Sequence, residues 1–227
     1  MQYEKVIEKL KTLTNPEAIE GMKRFGITAN KTFGVSIPDL RNLAKEIGKN
    51  HYLAIKLWSS GIHDARILAS LIDDPKIVTE EQMENWVKDF DSWDICDQCC
   101  NNLFRKTQFA FQKVIDWSNR KEEFVKRTAF SLIAFLAIHD KEKEDIEFVK
   151  FLSIIKNESI DERNFVKKSV NWALRQIGKR NLNLNKKAIE TAKEIETIDS
   201  KSAKWIASDA LRELTSEKIQ KRLRKKR

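Results

Sequence analysis

No proline follows Pro75, and Gly178 is the single glycine after Gly61. Proline and glycine interrupt regular backbone, so most of this chain runs without a built-in stop. Apolar residues recur through it at spacings of three and four, the period of a helix that buries one face. An all-α fold follows. Earlier breakers coincide with helix starts: Asn15–Pro16 with Glu17, and Ser36 two residues before Pro38. Asp161 opens a further long run. The pattern predicts helices near 3–13, 16–25, 37–47, 51–59, 62–72, 79–89, 92–104, 107–117, 121–138, 142–156, 162–178, 183–195 and 200–215.

Short strings recur at a spacing near 40. Phe124-Val125-Lys126-Arg127 returns as Phe165-Val166-Lys167-Lys168, and Ala173-Leu174-Arg175 as Ala210-Leu211-Arg212; His63 to Ala69 is a looser member. Two helices per period point to an α-solenoid, a superhelix of HEAT-like helix-pair repeats. Each repeat needs its neighbours to cover an apolar face, so residues 1–217 are expected as one domain, followed by a basic tail, 218–227. In such a stack the second helices line a concave surface. There the sequence places Arg66, Lys126, Arg127, Lys167, Lys168, Arg175, Lys204 and Arg212. Long basic side chains often lie over apolar helix faces with their charges in water. A cation from repeat after repeat also suits a polyanion, and both readings stand.

Twelve Phe and six Trp supply ample core, and a net charge of +9 is unevenly spread. Seven basic and no acidic residues fall in 218–227, leaving about +2 elsewhere. That tail reads as a solvated end or a nucleic-acid arm. No long apolar run marks a membrane span, and the acid-containing N-terminus is unlike a secretory signal. Cys96, Cys99 and Cys100 crowd one helix face, which suits a reducing cytoplasm and core packing. They and the scattered histidines make no four-ligand zinc set, so no metal or other cofactor is expected.

Residues 91–101, DSWDICDQCCN, hold the most unusual pair. A helix starting at Asp91–Ser92 sets Trp93 and Asp97 on one face, a turn apart. Burying an unpaired carboxylate costs several kcal/mol, roughly. Either Asp97 ties an arginine or a helix end while Trp93 packs in the core, or the pair is a site. Trp172, with Lys168 one turn before and Gln176 one turn after, poses the same choice. Two indoles and a carboxylate beside phosphates would suit hydrolysis of an N-glycosidic bond to a cationic base. Alkylation at N3 or N7 makes a purine a good leaving group without acid catalysis. The barrier then lies in the oxocarbenium character of the sugar, which a fixed carboxylate stabilises while orienting water. Indole faces add roughly 0.5–2 kcal/mol each toward a cation.

From about residue 5 to 215 the sequence resembles the AlkD family of bacterial DNA alkylation-repair glycosylases, built of HEAT-like repeats. The motifs are NPEAIEGMKRF, LWSSGIHDARILA, SWDICD, FVKRTAF and NFVKKSVNWALRQIGK. The resemblance implies Asp97 as catalytic carboxylate, Trp93 and Trp172 as active-site tryptophans, and Arg127 as a DNA contact. It implies excision of 3-alkyladenine and 7-alkylguanine from duplex DNA without base flipping; a solenoid of this size can stand alone as a monomer. Phe25 stands where the family has a tyrosine, Ser92 where its best-known member has a second tryptophan, and the basic tail is additional. Relatives that bind DNA structures without excision keep a non-catalytic DNA-binding reading open, as composition keeps that of a protein-interaction scaffold.

Overall fold

The computed structural model describes residues 1–27 and 31–225. They form an all-helical protein in which no helix is long and apolar enough to cross a membrane. Two compact units divide the chain, Met1–Ala110 and Phe111–Arg227.

The first unit contains α1 (Tyr3–Thr12), α2 (Pro16–Arg24), α3 (Ile37–Ile47), α4 (His51–Ser59), α5 (His63–Ile72), α6 (Glu80–Lys88) and α7 (Trp93–Asn102). A 3-10 turn, Phe104–Lys106, follows. Side-chain oxygens close several helix starts: Asn15 accepts from Ala18 N at 3.0 Å, Ser36 from Asp39 N at 3.3 Å, and Thr79 from Gln82 N at 3.1 Å. Each satisfies an amide that the helix cannot. α5 is the centre of the unit, packed on α1, α3, α4 and α7. Apart from Arg66 and Leu71, all its residues are buried.

Burying α5 also buries Asp64, which is 2 % exposed. Its carboxylate accepts from Val35 N at 2.7 Å, Phe33 N at 2.6 Å and Thr32 Oγ1 at 2.9 Å. The His63 amide donates to the Lys31 carbonyl at 2.9 Å. The approach to α3 is thereby stitched onto the first turn of α5. Gly34 sits inside this stitch at φ +69°, where a Cβ would lie 2.6 Å from the Asn15 carbonyl oxygen.

The second unit contains α8 (Ala110–Ser118, which begins at the boundary), α9 (Glu123–His139), α10 (Asp145–Glu158), α11 (Asn164–Gly178), α12 (Leu182–Glu196), α13 (Lys201–Leu214) and α14 (Glu217–Arg224). α11 packs on α9, α13, α10 and α12, and α12 packs on α10 and α13. The repeats seen in the sequence become parallel neighbours. Phe124 and Phe165 meet at 5.6 Å between ring centroids, Asn171 Nδ2 donates to Asp209 at 2.7 Å, and Arg175 reaches Glu213 at 2.8 Å. At the α11 start, Asp161 turns the chain by accepting from Arg163 N at 3.0 Å, and the helix opens at Asn164.

The basic tail differs from a free end. Most of it forms α14, with Ile219 and Leu223 buried four residues apart against the body. Gln220 Nε2 donates to Asn185 Oδ1 at 2.9 Å and to the Leu214 carbonyl at 2.7 Å. Lys218, Lys221, Arg222 and Arg224 are exposed on the rest of the helix, so charge concealed an amphipathic helix. Lys226 and Arg227 lie outside the described residues.

Gly34→Ala should destabilise the protein by about 2 kcal/mol or more, because a left-handed backbone and a backbone contact oppose the methyl group together. Urea unfolding of the two proteins, compared at equal m-value, checks this.

Candidate functional site

α7 starts at Trp93, immediately after Ser92, but the Ser92 hydroxyl does not cap it. Its first turn is held instead by Asp94, whose Oδ2 lies 2.9 Å from His63 Nε2. His63 opens α5 and is 4 % exposed. Burial pulls its pKa down, but the hydrogen bond and charge of Asp94, with the charges of Asp64 and Asp91, prevail and raise it above the ordinary 6.5. Burial in turn favours the neutral form of Asp94, yet the bonded and charged His63 holds it below the ordinary 3.8. His63 and Asp94 thus join the starts of α5 and α7, as an ion pair wherever the imidazole is protonated. At the other end, Asn102 Nδ2 donates to Ser70 Oγ at 3.1 Å, fixing α7 along α5.

With α7 placed, Trp93 is half-buried and its indole N–H donates to the Phe25 carbonyl at 3.0 Å. Phe25 ends α2 with its ring 71 % exposed. Asp97, one turn on, is half-buried. Cys96, Cys99 and Cys100 fall on the interior side with no exposure. Burial pushes the Cys99 thiol well above its usual range. The structure therefore brings Phe25 to Trp93, sets Asp97 a turn away, and spends Asp94 on His63. The His63–Asp94 and Asp64 contacts escaped the sequence reading, because the partners are far apart in the chain and follow no motif spacing.

In the second unit Trp172 is half-buried on α11, edge-on to Phe135 at 4.9 Å. With the Gln176 amide turned to face its donors, its oxygen accepts from Trp172 Nε1 at 2.9 Å and Lys179 Nζ at 3.1 Å. Arg127 is 6 % exposed and donates from Nη1 to the Phe165 carbonyl at 2.8 Å. Several expected DNA contacts are committed within the protein. Lys126 pairs with Glu158 and Asp161, and Arg175 with Asp209 and Glu213. In the first unit Arg66 lies over Trp58, 5.2 Å from its centroid, and bonds the Asp89 carbonyl at 3.0 Å. Lys168 and Lys204 are exposed, Lys204 with Asp199 at 2.8 Å, and Lys167 lies over Trp205.

A cleft of about 410 Å³, lined by residues that include His51, Trp58, Gln82, Trp86 and Asp89, contains none of the expected site residues. Its tryptophans stack on each other at 4.0 Å, and Trp58 Nε1 donates to Asp89 at 2.8 Å.

The charged pair makes stability depend on pH. His63 contributes fully below its unfolded pKa of 6.5, and that contribution is lost as pH rises through its higher folded value. Asp94 contributes above 3.8 and loses its part as pH falls through its lower folded value. Stabilisation by the pair is therefore greatest between about pH 4 and pH 6.5. Thermal melts should show His63→Gln losing most stability in that window and progressively less as the pH rises above it. An imidazole NMR titration left unchanged by Asp94→Asn would remove the pair from this role.

The model of the family described as DNA alkylation repair enzyme matches residues 6–214. Among curated proteins, Uncharacterized protein Lin0241 of Listeria innocua serovar 6a is 25 % identical over 85 % of this chain and 86 % of its own. Uncharacterized protein Lmo0209 of Listeria monocytogenes serovar 1/2a is 24 % identical over the same shares. A solved structure described as a new family of proteins related to the HEAT-like repeat DNA glycosylases, with affinity for branched DNA structures, superposes with a TM-score of 0.77. It is 21 % identical and the match covers 94 % of this chain and 95 % of that one, which establishes the HEAT-like repeat fold. Matched along nearly its whole length, the chain belongs to the DNA alkylation repair enzyme family.

Proposed function

We propose that this protein is an N-glycosylase that hydrolyses the bond between deoxyribose and a cationic alkylated purine, 3-alkyladenine or 7-alkylguanine, in duplex DNA. The observation that carries this reading is a carboxylate set beside an anchored indole on α7. Asp97 is half-buried one turn from Trp93, and the Trp93 N–H is bonded to the Phe25 carbonyl.

In the proposed reaction the C–N bond of the lesion breaks first, and the purine leaves with the electron pair that neutralises it. The Asp97 carboxylate faces the positive charge growing on the sugar and takes the proton of the water that adds there. Trp93 contributes its π face to the sugar cation; Trp172 and Arg127 of the second unit enter this scheme only as the aromatic and DNA-contacting residues that the family resemblance implies. The lesion stays in the helix, and its own charge supplies the leaving-group activation that a base pocket would otherwise provide. Phe25 would offer its ring, without a hydroxyl, on the substrate side.

The phosphate contacts of this reading rest on Lys167, Lys168 and Lys204. α11 and α13 have no acidic residue in their first turns and carry lysines there instead. The helix dipole disfavours a cation at that end by roughly 0.3–1 kcal/mol. An external polyanion offsets this cost. Lys126, Arg175 and Arg66 serve as struts between helices in this scheme.

A second reading, DNA binding without hydrolysis, is favoured by the affinity for branched DNA ascribed to the superposable structure. Release of 7-methylguanine from methylated duplex separates the two. Wild type should release it, and Asp97→Asn should be slower by about 100-fold or more while binding duplex within a few-fold. Equal release by both would remove Asp97 from the mechanism. Binding by both with no release by either would establish the second reading.

A further inference from the structure

We infer that Trp205 is a stacking platform for an unpaired nucleobase, at the edge of the lysine-bearing helix starts of the second unit. The inference rests on the nucleic-acid reading above and extends it from duplex phosphates to a single-stranded segment.

The argument begins with the repeat. Phe124-Val125-Lys126-Arg127 corresponds to Phe165-Val166-Lys167-Lys168, which aligns Arg127 with Lys168. Ala173-Leu174-Arg175 corresponds to Ala210-Leu211-Arg212, which aligns Lys168 with Trp205. Burial supports the second alignment: Val166, Ser169, Val170 and Ala173 are buried, as are Ala203, Ile206, Ala207 and Ala210. Trp205 thus occupies in α13 the place that holds Lys168 in α11 and Arg127 in α9.

An indole in that place leaves a large flat face toward solvent. Trp205 is 42 % exposed, although most tryptophans bury their large apolar surface. Lys167 Nζ lies 5.3 Å from its ring centroid, and Lys204 adjoins it in sequence. Of the surrounding acids, Asp161 pairs with Arg163 and Lys126, Asp199 with Lys204, and Asp209 with Arg175 and Arg212. An aromatic face among cations has the two elements needed for single-stranded nucleic acid, a surface for the base and charges for its phosphates. A duplex keeps its base faces stacked within the helix. The ligand that exploits both elements is therefore an unpaired base, in an overhang or at a branch, next to a bound duplex. A tryptophan merely covered by a neighbouring lysine would make no such distinction.

Three DNA probes resolve this: a blunt duplex, the same duplex with a short thymine overhang, and that overhang made abasic. Anisotropy titrations at one salt concentration should show the wild type binding the thymine overhang about tenfold more tightly than the other two. Trp205→Ala should lose this preference and keep blunt-duplex affinity within about twofold, while Trp205→Phe should retain most of it. Thermal melts of both variants establish that they fold. Equal wild-type affinity for all three probes overturns the inference, as does a preference that survives in Trp205→Ala or with the abasic overhang. Blunt-duplex affinity separately reports on the nucleic-acid reading, and base release reports on the glycosylase.

Discussion

A buried polar contact and a more exposed one help to set where α7 lies. His63 and Asp94 join the starts of α5 and α7, and the Trp93 indole N–H reaches the backbone of Phe25. Apolar packing between α5 and α7 is tolerant of small slides and rotations, because one aliphatic contact replaces another at little cost. A close contact between buried ionisable groups is not tolerant, since leaving either partner buried alone is expensive. The pair thus converts a generic helix contact into a fixed one, and Asp97 inherits its position. Asp64 performs the same service beside it, holding the segment from Thr32 to Val35 by three hydrogen bonds.

The second unit applies the same economy between repeats. α9, α11 and α13 lie parallel, and polar side chains of one helix reach groups on or near the next at similar depths: Arg127 to the Phe165 carbonyl, Asn171 to Asp209, and Arg175 to Glu213. Helix pairs that cannot bury their own apolar faces are held by neighbours, and these ties set the register between them. Cations used in this way are drawn from the same sequence positions as those that remain exposed.

That mixture explains what the sequence disclosed and what it withheld. All thirteen expected helices are present, because breakers, caps and periodicity are local signals. The repeat was visible in Phe124–Arg127 and Phe165–Lys168, since stacking reuses side chains at matched places. Lys126 could not be told from Lys168, because the difference lies in Glu158 and Asp161, which come close only when α10 turns back. His63 and Asp94 were silent for the same reason. α14 was obscured by composition: Ile219 and Leu223 mark a buried stripe, but the surrounding charge outweighed them. At the candidate site, the spacing of Trp93 and Asp97 was legible; the anchoring of Trp93 through a backbone carbonyl carries no signature in the identity of Phe25.

The three cysteines of α7 acquire a further meaning from their burial. Reagents that alkylate ring nitrogens of purines are electrophiles, and the thiolate is the softest nucleophile a protein offers them. Cys96, Cys99 and Cys100 present no surface to solvent, and the environment of Cys99 holds it in the protonated form. The packing that holds α7 in place thus also keeps its three thiols out of reach of electrophiles in solution.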